Sequence, residues 1–306
     1  MSAGKPTRPA PAHDCTRGLR PGLLFGTLGP AHSVNPPRRQ LSRRQALGAL
    51  ALACLGDRGP AQDAAPLTVF FYSPETNVNN FSVLKGEFDA LLAEHGGHKF
   101  QPFSDRATFE QQLAAQPRGL FLLSSWHYKL LAAKAKLDPL LVGQAKGKPT
   151  QKHQLFSKVA QLADLRSQKI ATAGTRDYTL TLLNEMFPGQ QALIDTLNIL
   201  VVPKDIDALM AVGFGAAKGA VATENGADKL AKLNPKQLEG LRHIGNGRES
   251  LLPVLAAPRD ADAAVRKLAA VFGAMGASPQ GKSRLQLLGL EAMREVDAEQ
   301  KGKLAP

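Results

Sequence analysis

The chain has little of several residue types that carry chemistry. It contains only two cysteines, Cys15 and Cys54, and both lie in the first fifth of its 306 residues. A protein cleaved after residue 61 would contain neither, which would exclude disulfides and thiol nucleophiles. No apolar run approaches the roughly 18 residues that a membrane-spanning helix requires. Because 43% of the residues are apolar in a chain of this length, a wholly disordered protein is also excluded.

Charge is plentiful but unevenly placed. The formal net charge is +12, and residues 1–61 hold nine of the 38 Lys and Arg residues but only two of the 26 Asp and Glu residues. Residues 62–306 therefore keep a net charge of only +5. A basic protein first suggests a nucleic-acid partner. Because more than half of the excess lies in the N-terminal fifth, we expect no nucleic-acid binding.

The N-terminal 61 residues have the pattern of an export leader. Residues 1–40 are rich in Pro, Arg and Gly, and Ser42-Arg43-Arg44 then precedes a weakly apolar stretch over residues 48–56. An arginine pair before such a stretch resembles the twin-arginine signal of bacteria. We therefore predict a basic tail plus export signal over 1–61, cleavage after Ala61 and a periplasmic location. A lipoprotein anchor at Cys54 is the alternative.

From Pro66 onwards, short β-rich runs alternate with amphipathic helical segments. One series ends near residue 150, and a second begins at Lys169 after a polar turn and a crossing strand. Alternation of this kind predicts an α/β protein with two lobes, each a mostly parallel sheet flanked by helices. The pattern also predicts two closing helices, at about 260–274 and 278–298.

Aromatic and hydroxyl side chains cluster where the predicted strands end. Tyr72, Trp126, Tyr128 and Tyr178 each follow a strand or lie in the first turn of the next helix. This edge is where open α/β sheets bind ligands. Ser124-Ser125 and Thr175 begin two of these helices, where free backbone N–H groups attract an anion. Ordinary helix capping is the alternative explanation for each hydroxyl.

Three carboxylates lie in the same segments, between the end of a predicted strand and the start of the next helix: Glu75, Asp177 and Glu224. A phosphate-type ligand keeps a proton that sulfate lacks at neutral pH, and a carboxylate can accept a hydrogen bond from it. Each acid could instead stabilise the start of its own helix. The residues therefore favour an anion site and leave the role of each acid open.

Several apparent motifs fail on inspection. Residues 143–150 have the wrong glycine spacing for a P-loop, and residues 213–219 do not fit a dinucleotide-binding loop. His95 and His98 flank a Gly-Gly turn without a third metal ligand. The Gly-x-Ser-x-Gly nucleophile pattern does not occur. We therefore predict no catalytic residue, no metal and no cofactor, and a protein that is not an enzyme.

The order of the segments resembles the substrate-binding proteins of phosphate, phosphite and phosphonate ABC transporters, in particular the phosphonate-binding type. The segments that carry the resemblance are 122–128, 164–171 and 219–222. It implies a periplasmic-binding-protein-like (type II) fold whose two lobes close on a ligand by a hinge. Lobe 1 would comprise 66–150 and 250–306, and lobe 2 would comprise 151–249.

The resemblance also implies a set of ligand-binding residues. The anion would bind at the helix starts formed by Ser124-Ser125 and Thr175. Hydrogen bonds to it would come from Tyr72, His127 and Tyr178. Glu224 would occupy the family's acidic position. Arg176 and Asp177 depart from the small Ser/Thr-rich loop of the family, and Arg176 would bind a second ligand charge or pair with Asp177.

The implied partners are a small anion (phosphate, phosphite or phosphonate) and an ABC permease in the inner membrane. The alternative is a ligand-sensing or scaffold partner of a membrane signalling or redox system.

Overall fold

The structure is a computed structural model that describes residues 65–75, 80–115 and 118–305. All of these residues belong to one compact unit, residues 60–306. The predicted export leader lies outside the described residues. The described part contains no helix long and apolar enough to cross a membrane.

Strands and helices alternate along most of the chain. The strands are β1 Thr68–Tyr72, β2 Lys99–Pro102, β3 Leu120–Leu123, β4 Leu137–Gln144, β5 Thr150–Ser157, β6 Lys169–Thr172, β7 Asn198–Val201, β8 Gly219–Thr223, β9 Arg242–Leu251, β10 Val254–Pro258 and β11 Ala292–Glu295. The α-helices are α1 Phe81–Ala93, α2 Arg106–Ala115, α3 Ser125–Ala135, α4 Arg176–Met186, α5 Gln191–Ile194, α6 Asp205–Gly213, α7 Glu224–Leu233, α8 Ala263–Ala274, α9 Pro279–Leu287 and α10 Ala298–Leu304.

The strands form two separate sheets, one in each lobe. The six-stranded sheet has the order β11-β4-β10-β3-β1-β2, and the five-stranded sheet has the order β7-β6-β8-β5-β9. Each sheet is mixed: β1 pairs in parallel with β2 and β3, and β6 pairs in parallel with β7 and β8, whereas the strands next to the crossings, β4, β5, β9 and β10, pair antiparallel. The antiparallel strands arise because the chain must run back from one sheet to the other.

The chain crosses between the sheets twice. Residues 145–149 lead from β4 to β5, and Leu252-Pro253 leads from β9 back to β10. The two crossings lie side by side, because the N–H of Leu252 donates to the carbonyl of Pro149 at 2.8 Å and the N–H of Gly143 donates to the carbonyl of Pro253 at 2.8 Å. Two adjacent crossings form the only covalent links between the sheets in the described part, and they are the natural place for a hinge.

Apolar residues are buried on both faces of each sheet. In the first lobe, one face packs a cluster around Phe88, Phe100 and Phe272, and the other packs a cluster around Phe109 and Phe121. In the second lobe, the two clusters centre on Leu183 and Leu209. Covering both faces explains why strands such as β3 are continuous apolar runs instead of alternating ones.

The predicted helix over 278–298 is wrong. Helix α9 ends at Leu287, strand β11 follows at Ala292–Glu295, and α10 begins after Asp297. Gly289 has φ +74°, a left-handed conformation that ends the helix at no steric cost to glycine. The N–H of Glu291 then donates to the carbonyl of Gln144 at 2.8 Å, so the segment joins the edge of the first sheet.

A substitution at the start of α9 can test how closely this helix packs against Met275. A Cβ on Gly281 would lie 2.1 Å from the carbonyl oxygen of Met275, so Gly281→Ala must displace backbone. We expect a loss of about 1–3 kcal/mol in the free energy of unfolding, measured by urea denaturation. Gly302→Ala is the matched control, since α10 leaves open space there, and it should be neutral or stabilising by up to about 1 kcal/mol. Equal stability of the two variants would contradict the packing described.

Candidate functional site

The start of α3, the first predicted anion position, carries two hydroxyls that already hydrogen-bond within the protein. The Oγ of Ser124 accepts from the backbone N–H of His127 at 3.1 Å and caps the helix. The Ser125 hydroxyl donates to the carbonyl of Leu251 at 2.6 Å. Because Leu251 is the last residue of β9, Ser125 fastens the helix start to the second crossing.

Tyr72 and His127 pack against each other inside the first lobe. Both are buried, and their rings meet edge to face with centroids 5.4 Å apart. The Nε2 of His127 lies 2.9 Å from Oε1 of Glu110. Burial lowers the pKa of His127 and favours the neutral ring, and burial raises the pKa of Tyr72. Neither side chain lines the cleft between the lobes.

The start of α4 brings the second predicted anion position against the first lobe. Thr175 caps this helix by accepting from the N–H of Tyr178, and its own N–H donates to the carbonyl of Pro74 at 2.7 Å. The Tyr178 ring is buried and meets the Trp126 ring of the first lobe at 5.5 Å. Arg176 and Asp177 are exposed. The two helix starts predicted to share a ligand are therefore neighbours across the lobe boundary.

A cleft of about 720 Å³ lies between the lobes. From the first lobe and first crossing it is lined by Ser73, Glu75, Asn80, Leu122, Lys146 and Lys148, and from the second lobe by Gln151, Lys152, His153, Asp205, Thr223 and Glu224, among others. Two helices, α6 and α7, begin at this cleft, at Asp205 and Glu224. Of the nine residues predicted as ligand contacts, only Glu224 is among those that line it.

Glu75 is the most deeply buried acid of the cleft, with 7% of its surface exposed. Its Oε2 accepts from Nε2 of Gln151 at 2.7 Å, and the Tyr178 hydroxyl also hydrogen-bonds to the carboxylate. Its Oε1 is buried and has no hydrogen-bond partner in the described structure. Burial raises the pKa of Glu75 to about 7, the two hydrogen bonds oppose the rise, and the charge of Asp205 adds to it.

His153 and Asp205 form the neighbouring part of the cleft. His153 is buried on β5 with its ring 5.7 Å from that of Tyr178, and its Nδ1 has no partner within the described residues. Burial lowers the pKa of His153. Asp205 accepts from the N–H of Thr223 at 3.0 Å and from the Thr223 hydroxyl. Gly226 permits this approach, since a Cβ there would lie 2.6 Å from the Cβ of Asp205.

Lysines surround the opening of the cleft. Lys148, Lys152, Lys204 and Lys229 line it, together with Lys146, whose Nζ lies 3.1 Å from Oδ2 of Asp228. Glu224 is exposed and accepts from Nε2 of Gln154 at 3.3 Å. The cleft therefore combines solvent-exposed lysines with two buried titratable side chains, Glu75 and His153, whose shifted pKa values favour their uncharged forms. Nowhere in the described ranges do three or more His, Cys, Asp or Glu residues form a group that could hold a metal ion.

The sequence pattern predicted that the ligand site lies at the carboxyl ends of the strands, but it did not identify most of the residues that line the cleft. Glu75 was considered there, because it follows β1 at the strand end. Asp205 begins a helix after a strand and could have been found by the same rule. Gln151 and His153 lie on β5, and no local signal marks a crossing strand as part of a cleft.

A family model described as the periplasmic substrate-binding protein of phosphonate ABC transporters matches residues 71–300 of the chain. The match includes both sheets and the cleft. No curated protein is similar enough in sequence to count as a relative.

Solved structures share the fold at low sequence identity. A binding-protein component of an ABC phosphonate transporter from Pseudomonas aeruginosa has a TM-score of 0.57 and 16% identity, over 77% of this chain and 83% of that one. PhnD1 from Prochlorococcus marinus, in complex with methylphosphonate, has a TM-score of 0.55 and 13% identity, over 76% and 93%. A Xanthomonas citri protein solved with bound ATP has a TM-score of 0.55 and 16% identity, over 78% and 94%. The predicted two-lobed α/β fold is confirmed.

The raised pKa of Glu75 predicts how stability depends on pH. The pKa of this carboxyl group is 4.5 in the unfolded chain and about 7 in the folded one, so the folded state favours the protonated form. The free energy of unfolding is therefore highest below pH 4.5 and falls as the pH rises to 7. The loss is about 3 kcal/mol, since one pKa unit corresponds to about 1.4 kcal/mol. We therefore expect ligand-free Glu75→Gln to be more stable than the wild type at pH 8, with the difference shrinking towards pH 4.5. Unfolding curves that differ by the same amount at both pH values would contradict it.

Proposed function

The chain belongs to the family of periplasmic substrate-binding proteins of phosphonate ABC transporters, and we propose that it captures a small phosphorus oxyanion or phosphonate between its lobes and delivers it to an inner-membrane permease. The family is one of transport receptors and not of enzymes. The observation that carries the proposal is the cleft of about 720 Å³, which both lobes line and two adjacent chain crossings flank.

The polar groups of the cleft suit such a ligand. Glu75 and His153 each leave a buried atom without a partner in the described chain, and an unmade hydrogen bond at a buried atom costs free energy. A polar ligand would supply the missing partners, whereas an apolar one would not. The lysines at the opening would raise the local concentration of anions and speed their capture.

The ligand contacts predicted from the sequence fall into two groups in this proposal. Glu224 and the buried Tyr178, which hydrogen-bonds to Glu75, would act at the cleft itself. Ser124, Ser125, Tyr72 and His127 would hold the wall of the first lobe in place, because their polar atoms and rings contact other protein groups. Thr175 would join the lobes through the carbonyl of Pro74. Arg176 and Asp177 would remain outside the cleft.

Ligand binding should stabilise the folded protein. We expect methylphosphonate, phosphite or phosphate to raise the melting temperature of the full chain by several degrees, since a ligand at 100 times its Kd adds about 2.7 kcal/mol. Lys152→Glu should weaken binding about tenfold or more by reversing a charge at the cleft.

Lys169→Glu is the matched control for this prediction. It makes the same change in net charge at the exposed start of β6, away from the residues that line the cleft, and should leave affinity unchanged. If no phosphorus anion shifts the melting temperature, or if both charge reversals weaken binding equally, the proposed function fails.

Export is the second part of the proposal. The family is periplasmic, and the Ser42-Arg43-Arg44 segment supplies the signal in this chain. We expect the double substitution of Arg43 and Arg44 to Lys to retain the protein in the cytoplasm, measured by cell fractionation, because the twin-arginine route reads the pair itself and not only its charge. The same substitution at the upstream pair Arg38-Arg39 should leave export intact. Equal export of both variants would exclude this route.

A further inference from the structure

The two lobes contribute different kinds of side chain to the cleft. Most of its large apolar side chains come from the first lobe, among them Phe71, Val83, Leu84, Leu122, Leu287 and Leu288. The second lobe supplies mainly polar ones, such as Lys152, His153, Asp205 and Thr223. One wall of the cleft therefore suits the charged end of an anion, and the opposite wall suits a hydrocarbon group.

The cleft is also larger than a small oxyanion requires. Its volume of about 720 Å³ remains although the lobes already touch, since the N–H of Thr175 donates to the carbonyl of Pro74 at 2.7 Å and Gln151 donates to Glu75 at 2.7 Å. Pockets of about 300–1,000 Å³ are typical of sites that bury drug-sized ligands. Methylphosphonate would leave most of this space to water, whereas a phosphonate with a larger substituent would fill it.

Val83 and Leu287 are the most exposed of these first-lobe apolar side chains, at 48% and 44% of their surface. Val83 lies in the first turn of α1, and Leu287 is the last residue of α9. An ion pair joins the two helices one turn further along each, with Nε of Arg284 3.5 Å from Oε2 of Glu87. Apolar side chains that are exposed side by side and bordered by polar residues mark a ligand-binding groove.

We propose that the ligand is a phosphonate with an apolar substituent several carbons long, and that Val83 and Leu287 form the subsite that holds this substituent. The inference rests on the proposed function and specifies its substrate class. The charged end of the ligand lies against the polar wall of the second lobe, near Lys152 and His153, and the hydrocarbon chain covers Val83 and Leu287. Covering them removes apolar surface of both the protein and the ligand from water, which favours binding.

A series of n-alkylphosphonates tests the subsite, since the anionic group stays the same while the chain grows. We expect calorimetry on the full chain to give a Kd for hexylphosphonate about tenfold to hundredfold below that for methylphosphonate, because each fully buried methylene is worth about fourfold. Leu287→Asn, which keeps the size of the side chain but not its apolar surface, should weaken hexylphosphonate binding about fivefold to tenfold and leave methylphosphonate binding unchanged. Val83→Thr should act in the same direction.

Leu130→Asn is the matched control, because Leu130 on α3 is 49% exposed and is not among the residues that line the cleft. It should leave both affinities unchanged. The inference is overturned if affinity does not rise with chain length, or if Leu287→Asn weakens hexylphosphonate binding no more than Leu130→Asn does. Either outcome leaves the proposed function intact as long as methylphosphonate binds.

The wild-type series decides alone if the substituted proteins do not fold. A Kd that stays the same from methylphosphonate to hexylphosphonate then overturns the inference, and a steady fall supports it. If the wild type binds no phosphorus anion of any chain length, the proposed function fails and takes this inference with it.

Discussion

The pairing of the two chain crossings is the constraint on which the rest of the structure depends. Residues 145–149 and Leu252-Pro253 join the sheets and hydrogen-bond to each other through backbone groups. Because the crossings are adjacent, they have the placement expected of a hinge between two lobes. The Ser125 hydroxyl fixes the start of α3 to the same place through the carbonyl of Leu251. The crossings also supply residues that line the cleft, among them Lys146, Lys148 and Pro253.

The contacts across the lobe boundary include both hydrogen bonds and aromatic packing. Pro74 accepts from Thr175, Glu75 accepts from Gln151 and Tyr178, and Trp126 packs on Tyr178. Water could replace the hydrogen bonds at a cost of about 1 kcal/mol each, whereas the ring contact buries apolar surface. Most buried apolar residues, by contrast, lie in clusters within a single lobe, and Trp126 of the first lobe packs against the second-lobe cluster that contains Leu183.

The sequence predicted the strands and helices well where the pattern is local. The predicted alternation of strands and helices from Pro66 onwards is found, because continuous apolar segments between turn residues, such as β3, have few alternatives. The helix over 278–298 was wrong, since its β11 segment forms by pairing with β4, some 150 residues earlier. The hydrogen bond of Ser125 could not be predicted for a similar reason. Its hydroxyl donates to the carbonyl of Leu251, which lies 126 residues further along the chain. Side-chain direction at a lobe boundary is a tertiary property.

The exposed charges of the protein can attract anions, but they cannot distinguish one anion from another. Most of the formal charge of +12 lies in the N-terminal 61 residues, so the rest of the chain has only a mild positive charge, and the cleft is lined by five lysines and four acids. Exposed lysines attract any anion at a distance and are screened by salt, so they cannot tell one oxyanion from another. Discrimination requires a short contact in a site that excludes water. His127 and His153 are buried with lowered pKa values and add no charge at neutral pH. Among the residues that line the cleft, the buried carboxyl group of Glu75 has its pKa raised to about 7, so its charge changes near neutral pH.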